Sequence, residues 1–249
     1  FVPVSALHGD NVVTRSPNSP WYEGSSLLHH LEEVHIASDR NLIDVRFPVQ
    51  YVIRPHSDQW HDYRGYAGTV AGGVIKPGDE VVVLPSGFTS TIAAVETMDG
   101  PLAEAATGRS VTVRLADEID ISRGDMICRP ANQPHVSQDI DAMVCWMSEV
   151  GSLKARDKLA IKHTTRTARA LVKQVQYRLD INSLHRDEGV HELALNEIGR
   201  VQLRTTQPLF FDEYQRNRTT GSFILIDEAT NTTVGAGMIL GPSSTAPAP

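Results

Sequence analysis

From Val45 onward, apolar and polar residues alternate. Val45, Phe47, Val49, Tyr51 and Ile53 fall on one side of an extended chain, and Arg46, Gln50 and Arg54 fall on the other. This period of two predicts a half-buried strand. Further apolar runs follow, separated by Lys76-Pro77-Gly78-Asp79, Pro85-Ser86-Gly87, Asp99-Gly100-Pro101 and Ser122-Arg123-Gly124-Asp125, each with the residues that tight turns need. A pause over 130–139, with prolines at 130 and 134, precedes a second set of strands predicted at 142–147, 158–163, 169–179, 199–205, 222–227 and 233–239. So many short antiparallel strands would expose edges unless each sheet closes on itself. The prediction is therefore a mainly β protein with two consecutive β-barrels, over 45–131 and 138–240.

The first 36 residues have a different texture. A strand end is expected at 1–4, then a loop rich in Gly, Asn, Pro and Ser over 9–19, then a helix. Leu27, Leu28, Leu31 and Val34 share one face of that helix, with Ser25 or Ser26 as its N-cap. The apolar face has no partner inside the segment, so the helix is expected to pack against something beyond it. Residues 37–44 read as a linker, and 241–249, with its Pro, Ala and Ser, as a linker or tail. The first residues show neither an initiator Met nor a basic region followed by an apolar stretch, so no secretory or organellar signal is expected here, and Phe1 reads as an internal residue of a longer polypeptide.

Composition narrows the function. The 249 residues are 41% hydrophobic and 21% charged, with a net charge of −7, values of a globular chain with a mildly acidic surface. The longest apolar run, 142–147, is six residues, against the roughly 18 that a spanning helix needs. A cytoplasmic location is expected, with no membrane association. Cys128 and Cys145 lie in apolar, strand-like contexts and are expected as buried free thiols, a disulfide being the lesser alternative. The acidic balance argues against general nucleic-acid binding, which uses a basic face.

Several stretches carry a more specific signal. Phe1-Val2-Pro3-Val4, then Ser5-Ala6-Leu7, then Gly9-Asp10-Asn11-Val12 resemble the last guanine-binding element of a translation-factor-type GTPase, followed in order by a helix, a linker and two barrels. Pro20-Trp21-Tyr22, Arg46-Phe47-Pro48-Val49-Gln50-Tyr51-Val52, Arg64-Gly65-Tyr66-Ala67-Gly68-Thr69, Val83-Leu84-Pro85-Ser86-Gly87, the stretch from Asp117 to Asp125, and Thr233-Val234-Gly235-Ala236-Gly237-Met238 together resemble the large, GTP-binding subunit family of bacterial sulfate adenylyltransferase. The resemblance runs from Phe1 to about Ile239. It implies a short αβ remnant of a P-loop GTPase domain ahead of the barrels. It also implies a GTPase subunit, using GTP and Mg²⁺, that pairs with a separate catalytic small subunit making adenosine 5′-phosphosulfate from ATP and sulfate. A fused adenylylsulfate kinase domain beyond the tail is a further implication.

The departures from that pattern set limits. There is no Gly-x4-Gly-Lys-Ser/Thr and no Gly-Lys pair anywhere, nor an Asn-Lys-x-Asp, so the phosphates and Mg²⁺ lack their usual ligands. The chain by itself is expected to be non-catalytic and to bind no nucleotide unaided. Only Ser5, Ala6 and Leu7 carry over as nucleotide contacts, through backbone N–H groups facing the guanine carbonyl oxygen. Arg64, Gly65, Tyr66 and Thr69 are the candidates for partner contact or relay, against the plainer reading of Gly as a bend and Tyr66 as barrel filling. The 55–63 loop is longer than the pattern usual to the family.

Other constellations admit plainer readings. His56, Asp58, His61 and Asp62 offer metal-ligand chemistry on a loop but match no regular clamp. Asp117, Glu118 and Asp120 have no neighbouring base or nucleophile and read as structural or solvated. Arg123-Gly124-Asp125 reads as a turn, capped by its Asp. Asn217-Arg218-Thr219 and Asn231-Thr232-Thr233 fit the glycosylation pattern and read as turns. The basic run of Lys154, Arg156, Lys158, Lys162, Arg166, Arg169 and Lys173 supports the alternative function, a translation-factor-like protein whose barrels bind RNA. A solvated barrel face and an acidic protein partner are the other readings of that run.

Overall fold

The computed structural model describes residues 1–34, 41–55 and 63–243. The chain forms two units, Phe1–Asp39 and Arg40–Pro249. In the first, helix α1 (Leu27–Glu33) is capped by Ser26, whose side chain accepts from the His29 N–H. The preceding loop is organised by Asn11. Its side chain is buried, donates to the Pro3 carbonyl at 3.0 Å and accepts from the Ser16 N–H at 2.8 Å. The Leu27 and Leu28 N–H groups, orphaned at a helix start, donate to the carbonyls of Asn11 and Val12. The expected strand end at 1–4 is not formed. Only one isolated bridge, Ser5 to Asp10, occurs in the described part of this unit, because no second extended segment lies alongside. Leu28, Leu31 and Val34 of the helix's apolar face are exposed among the described residues, and Leu27 is partly covered.

The second unit is all β. The first set of strands is β1 (Arg46–Ile53), β2 (Gly65–Thr69), β3 (Val74–Ile75), β4 (Glu80–Leu84), β5 (Thr89–Thr97), β6 (Gly100–Pro101), β7 (Ala105–Ala106), β8 (Ser110–Leu115) and β9 (Met126–Cys128). Pairing runs β4-β9-β1-β2-β8-β5, and β5 returns to β4, so six strands close into a barrel. The second set is β10 (His135–Trp146), β11 (Leu153–Lys154), β12 (Lys158–His163), β13 (Arg166–Leu179), β14 (Arg186–Asp187), β15 (Glu192–Leu193), β16 (Ile198–Phe211), β17 (Ser222–Ile226) and β18 (Thr233–Pro242). Here β12-β17-β18-β10-β16-β13 closes through β13 and β12. Closure leaves neither barrel with a free edge along these strands.

Each barrel encloses its own core. Phe47, Val49, Tyr66, Ile92 and Val113 lie in the first, and Ile140, Trp146, Ile161, Leu203 and Phe223 in the second. On β18 the inward position 237 must be glycine, since a Cβ there would lie 2.6 Å or closer to the Phe223 ring.

Two departures from simple alternation matter. The β1–β2 register shifts between Val49 and Tyr51, and the bulge turns Tyr51 outward, 66% exposed, where alternation placed it inside. Arg46, expected on the solvent side, is completely buried. The outer face of β1 near Arg46 is covered by the second barrel, so both faces of that half-strand are interior.

The seam between the barrels is held by two arginines reaching in opposite directions. Arg46 of β1 makes a two-pronged pair with Asp212, both contacts 2.8 Å, and donates to the carbonyls of Val45 and Asn132. Arg166 of β13 reaches back to the Gly124 carbonyl at 3.0 Å and the Asp125 carboxylate at 3.1 Å, while stacking over Phe210. A small apolar cluster of Val82, Leu84, Met126, Cys128 and Phe210 fills the seam beside them.

Candidate functional site

The Ser5-Ala6-Leu7 element forms a tight loop. The Ser5 N–H donates to the Asp10 carbonyl and the Gly9 N–H returns to the Ser5 carbonyl at 2.8 Å. Asp10 accepts from Ser16 Oγ and Asn18 Nδ2, bonds that lower its carboxyl pKa, and so clasps the following loop. Ala6 and Leu7 are exposed, and their N–H groups donate to no acceptor among the described residues. Two adjacent, outward N–H donors suit a carbonyl oxygen at a base edge. The loop offers nothing for phosphate, and the chain has no Gly-Lys pair to supply it.

The candidates on and just before β2 separate into two environments. Tyr66 is buried, and its hydroxyl and the Arg64 guanidinium both donate to the Ile119 carbonyl, at 2.7 and 2.9 Å. Burial pushes the Tyr66 phenol pKa up. A Cβ on Gly65 would sit 2.6 Å from Thr112 Cγ2. Arg64 and Tyr66 therefore fasten the 117–121 turn to the barrel, and Gly65 lets β2 pack closely on β8. Thr69 is exposed, pairs with Ser110 Oγ at 2.9 Å, and lines an open groove of about 550 Å³ with Tyr51, Met98 and Asp99.

The remaining motifs fall into place by their contacts. Asp117 accepts from Ser90 Oγ at 2.8 Å, and Asp120 is nearly fully exposed, 3.7 Å from Arg54. Asp125 caps its turn by accepting from the Ser122 N–H, with Gly124 at φ +95°. Asn217 is buried, bonded to the Ala71 carbonyl and to the Thr219 and Thr220 N–H groups, so it is unavailable for glycan attachment in the folded state. Both thiols are free. Cys128 is buried, which pushes its pKa up to about 12, whereas Cys145 is only half-buried. The His56, Asp58, His61 and Asp62 candidates lie outside the described residues. Among the described residues no group of His, Cys, Asp or Glu is placed to hold a metal.

The basic run is divided: Lys154, Arg156, Lys158 and Lys162 form no ion pair with the described residues, while the other three are engaged. Arg166 lies in the seam, Arg169 pairs with Glu228 at 2.7 Å and Lys173 lies 3.6 Å from Asp139. Sequence reasoning missed the residues that carry most of the buried polarity: Asp44, His163, Asp212 and Thr220. Thr220 Oγ1 donates to Asp212 at 2.8 Å, and the His163 ring donates from Nε2 to the Thr220 carbonyl at 2.6 Å. Burial holds the imidazole neutral, its pKa down to about 4. Nearby, the Arg216 guanidinium holds the Asp44 carboxyl well below the usual carboxylate range, with Asn41 and Asn132 adding hydrogen bonds. His163 ends a strand while Asp44, Asp212 and Thr220 lie in connecting segments, so no spacing signal in the sequence grouped them.

Comparison with known proteins agrees with this architecture. A family model described as GTP-eEF1A C-terminal domain-like matches residues 139–240. The bifunctional enzyme CysN/CysC of Mycobacterium tuberculosis strain H37Rv is 61% identical over 96% of this chain and 39% of that protein. Sulfate adenylyltransferase subunit 1 of Bacteroides fragilis is 48% identical over 96% of this chain and 49% of that protein. The chain thus spans about 40 to 50% of the length of these relatives. Sup35 complexed with GDP has the same fold, with a TM-score of 0.73 at 20% identity over 97% of this chain and 58% of that chain. No helix among the described residues is long and apolar enough to cross a membrane. Along 96% of its length, this two-barrel chain is similar to the proteins named sulfate adenylyltransferase subunit 1 and CysN/CysC.

Proposed function

We propose that this chain serves the GTP-binding subunit of a sulfate adenylyltransferase, in which GTP hydrolysis drives formation of adenosine 5′-phosphosulfate from ATP and sulfate. The observation that carries this reading is the unbroken similarity, at 48 to 61% identity, to relatives bearing those names. Forming a sulfate–phosphate anhydride is strongly uphill, so coupling it to a second phosphoryl transfer has a thermodynamic purpose. In this reading Ser5, Ala6 and Leu7 supply part of the guanine site, and residues outside this chain supply the phosphate and Mg²⁺ ligands. The two barrels act as the interface portion, binding a catalytic small subunit and relaying nucleotide state by rigid-body rotation. Arg64, Gly65 and Tyr66 set the frame of the first barrel, and Thr69 offers a contact on its groove. A fused kinase domain after the tail fits the bifunctional names of some relatives, and a cytoplasmic setting fits the chemistry.

The RNA-binding alternative is not favoured, since the similarity along 96% of this chain is to proteins named CysN/CysC and sulfate adenylyltransferase subunit 1. The test uses the full-length protein with its catalytic subunit. Adenylylsulfate formation that rises on adding GTP is the expected result. Formation indifferent to GTP, or tRNA binding at physiological salt with no effect on sulfate activation, overturns the reading.

A further inference from the structure

The first unit holds its shape without an apolar core. Among its described residues only Asn11 and Ser26 are buried, at 1% and 6% exposure, and both are polar. The conformation of the Ser5-Ala6-Leu7 loop therefore depends on hydrogen bonds. The loop has a tip and a neck. At the tip, the Ala6 and Leu7 N–H groups donate to no acceptor among the described residues, so no bond of their own fixes where they point. At the neck, the chain enters at Ser5 and leaves at Asp10, which form an isolated bridge. Past that bridge the Asn11 side chain extends the contact, its Nδ2 donating to the Pro3 carbonyl at 3.0 Å.

Asn11 joins three segments. Its Oδ1 accepts from the Ser16 N–H at 2.8 Å, and its main-chain carbonyl accepts from the Leu27 N–H at 2.8 Å, at the start of α1. Asp10 repeats the grip on the same loop through Ser16 Oγ and Asn18 Nδ2. The entering chain, the 16–18 loop and the helix thus meet at one residue, whose φ of +57° is a backbone conformation that Asn tolerates better than most side chains. Its amide is engaged at both ends and sealed from solvent, so Asn11 does not itself reach a ligand. What it controls is the direction of the tip, and a donor pair displaced by about 1 Å no longer meets an acceptor with good geometry. We propose that Asn11 is the positioning residue of the base contact: it aims the Ala6 and Leu7 N–H groups at a purine 6-carbonyl and so sets the preference for guanine over a purine that lacks this oxygen. The inference rests on the functional reading of this loop and deepens it, by assigning base discrimination to a side chain that does not touch the base.

The experiment is titration calorimetry of the full-length protein, in complex with its catalytic subunit and with Mg²⁺, using two probes. One is GDP; the other is the diphosphate of 2-aminopurine riboside, which keeps the 2-amino group and lacks the 6-carbonyl. The wild type prefers GDP by about tenfold or more, the worth of one or two hydrogen bonds. Asn11→Gly, which removes both side-chain bonds and accommodates the positive φ, weakens GDP binding by about tenfold and leaves the analogue nearly unchanged, so the preference collapses. Asn11→Asp keeps the acceptor for the Ser16 N–H but sets an oxygen against the Pro3 carbonyl, and it lowers the preference likewise. Ser26→Ala removes the other buried polar side chain and with it the helix cap, yet leaves the preference intact. If the wild type discriminates and a folded Asn11 variant discriminates equally well, the positioning role is overturned while the base contact stands. An equal loss of preference in Ser26→Ala, or failure of both Asn11 variants to fold, makes Asn11 a structural residue and overturns the role as well. A wild type that binds neither probe, or both alike, overturns the base contact itself and the positioning role with it.

Discussion

The seam between the barrels and the outer face of the second barrel both contain guanidinium–carboxylate pairs of good geometry, and they differ in where the charges lie. Arg46 and Asp212 are sealed, with side chains 0% and 3% exposed; Arg169 and Glu228, at 2.7 Å, are 71% and 40% exposed. Water screens the second pair and holds each partner comfortably when alone. In the seam each charge has been stripped of water and depends on the other, on Thr220 and on the Asn132 carbonyl. Pair distances do not reveal this difference. What burial confers is a penalty for breaking the pair rather than a reward for having made it.

The sharpest way to break the comparison is Arg46→Ala, which leaves Asp212 charged and buried and costs about 3–5 kcal/mol of unfolding free energy in denaturant titration. Replacing both partners, Arg46→Met with Asp212→Leu, recovers most of that loss. If the double variant is as unstable as the single one, uncompensated charge is not the cause. Next comes acid. His163 takes a proton near pH 6.5 when unfolded and near 4 when folded, so between those values the unfolded chain binds more protons. Stability is full above about pH 6.5 and falls as pH drops through the window, by on the order of 3 kcal/mol at pH 4. His163→Gln flattens this part of the stability–pH curve. Asp44 behaves as a lowered carboxylate does, its contribution present above about pH 4 and lost below.

Gly237→Ala comes third. The added methyl must displace Phe223, costing about 1–3 kcal/mol, whereas the same change at the open turn position Gly78 meets no atom within 4 Å and tests backbone strain alone. Smallest is Arg169→Ala, within about 1 kcal/mol and fading with added salt. A large effect there would erase the distinction between the two regions.

The strands of the barrels were legible because alternation and turn residues are local signals. Segments 158–163 and 233–239 coincide with or lie within the observed strands. β10 and β16 run longer than expected, over His135–Trp146 and Ile198–Phe211, because register shifts at Ser137/Asp139 let pairing continue past residues that break alternation. The fate of individual charges was not legible. Arg46 and Arg166 look in sequence like Arg169, since burial of an outer face depends on which surface of the other barrel lies against it. The Ser5-Ala6-Leu7 proposal rests on the order of segments along the chain, not on its own three residues.

The apolar filling of the seam places a thiol where only separation of the barrels can reach it. Cys128, fully buried beside Phe210, and half-buried Cys145 on the outer face are the chain's two cysteines. Alkylation therefore proceeds on two clocks: Cys145 reports the reagent's access to the native surface, and Cys128 the frequency with which the barrels part. Dividing the Cys128 rate by that of the same thiol in the unfolded chain converts a static interface into an opening free energy, without introducing a probe.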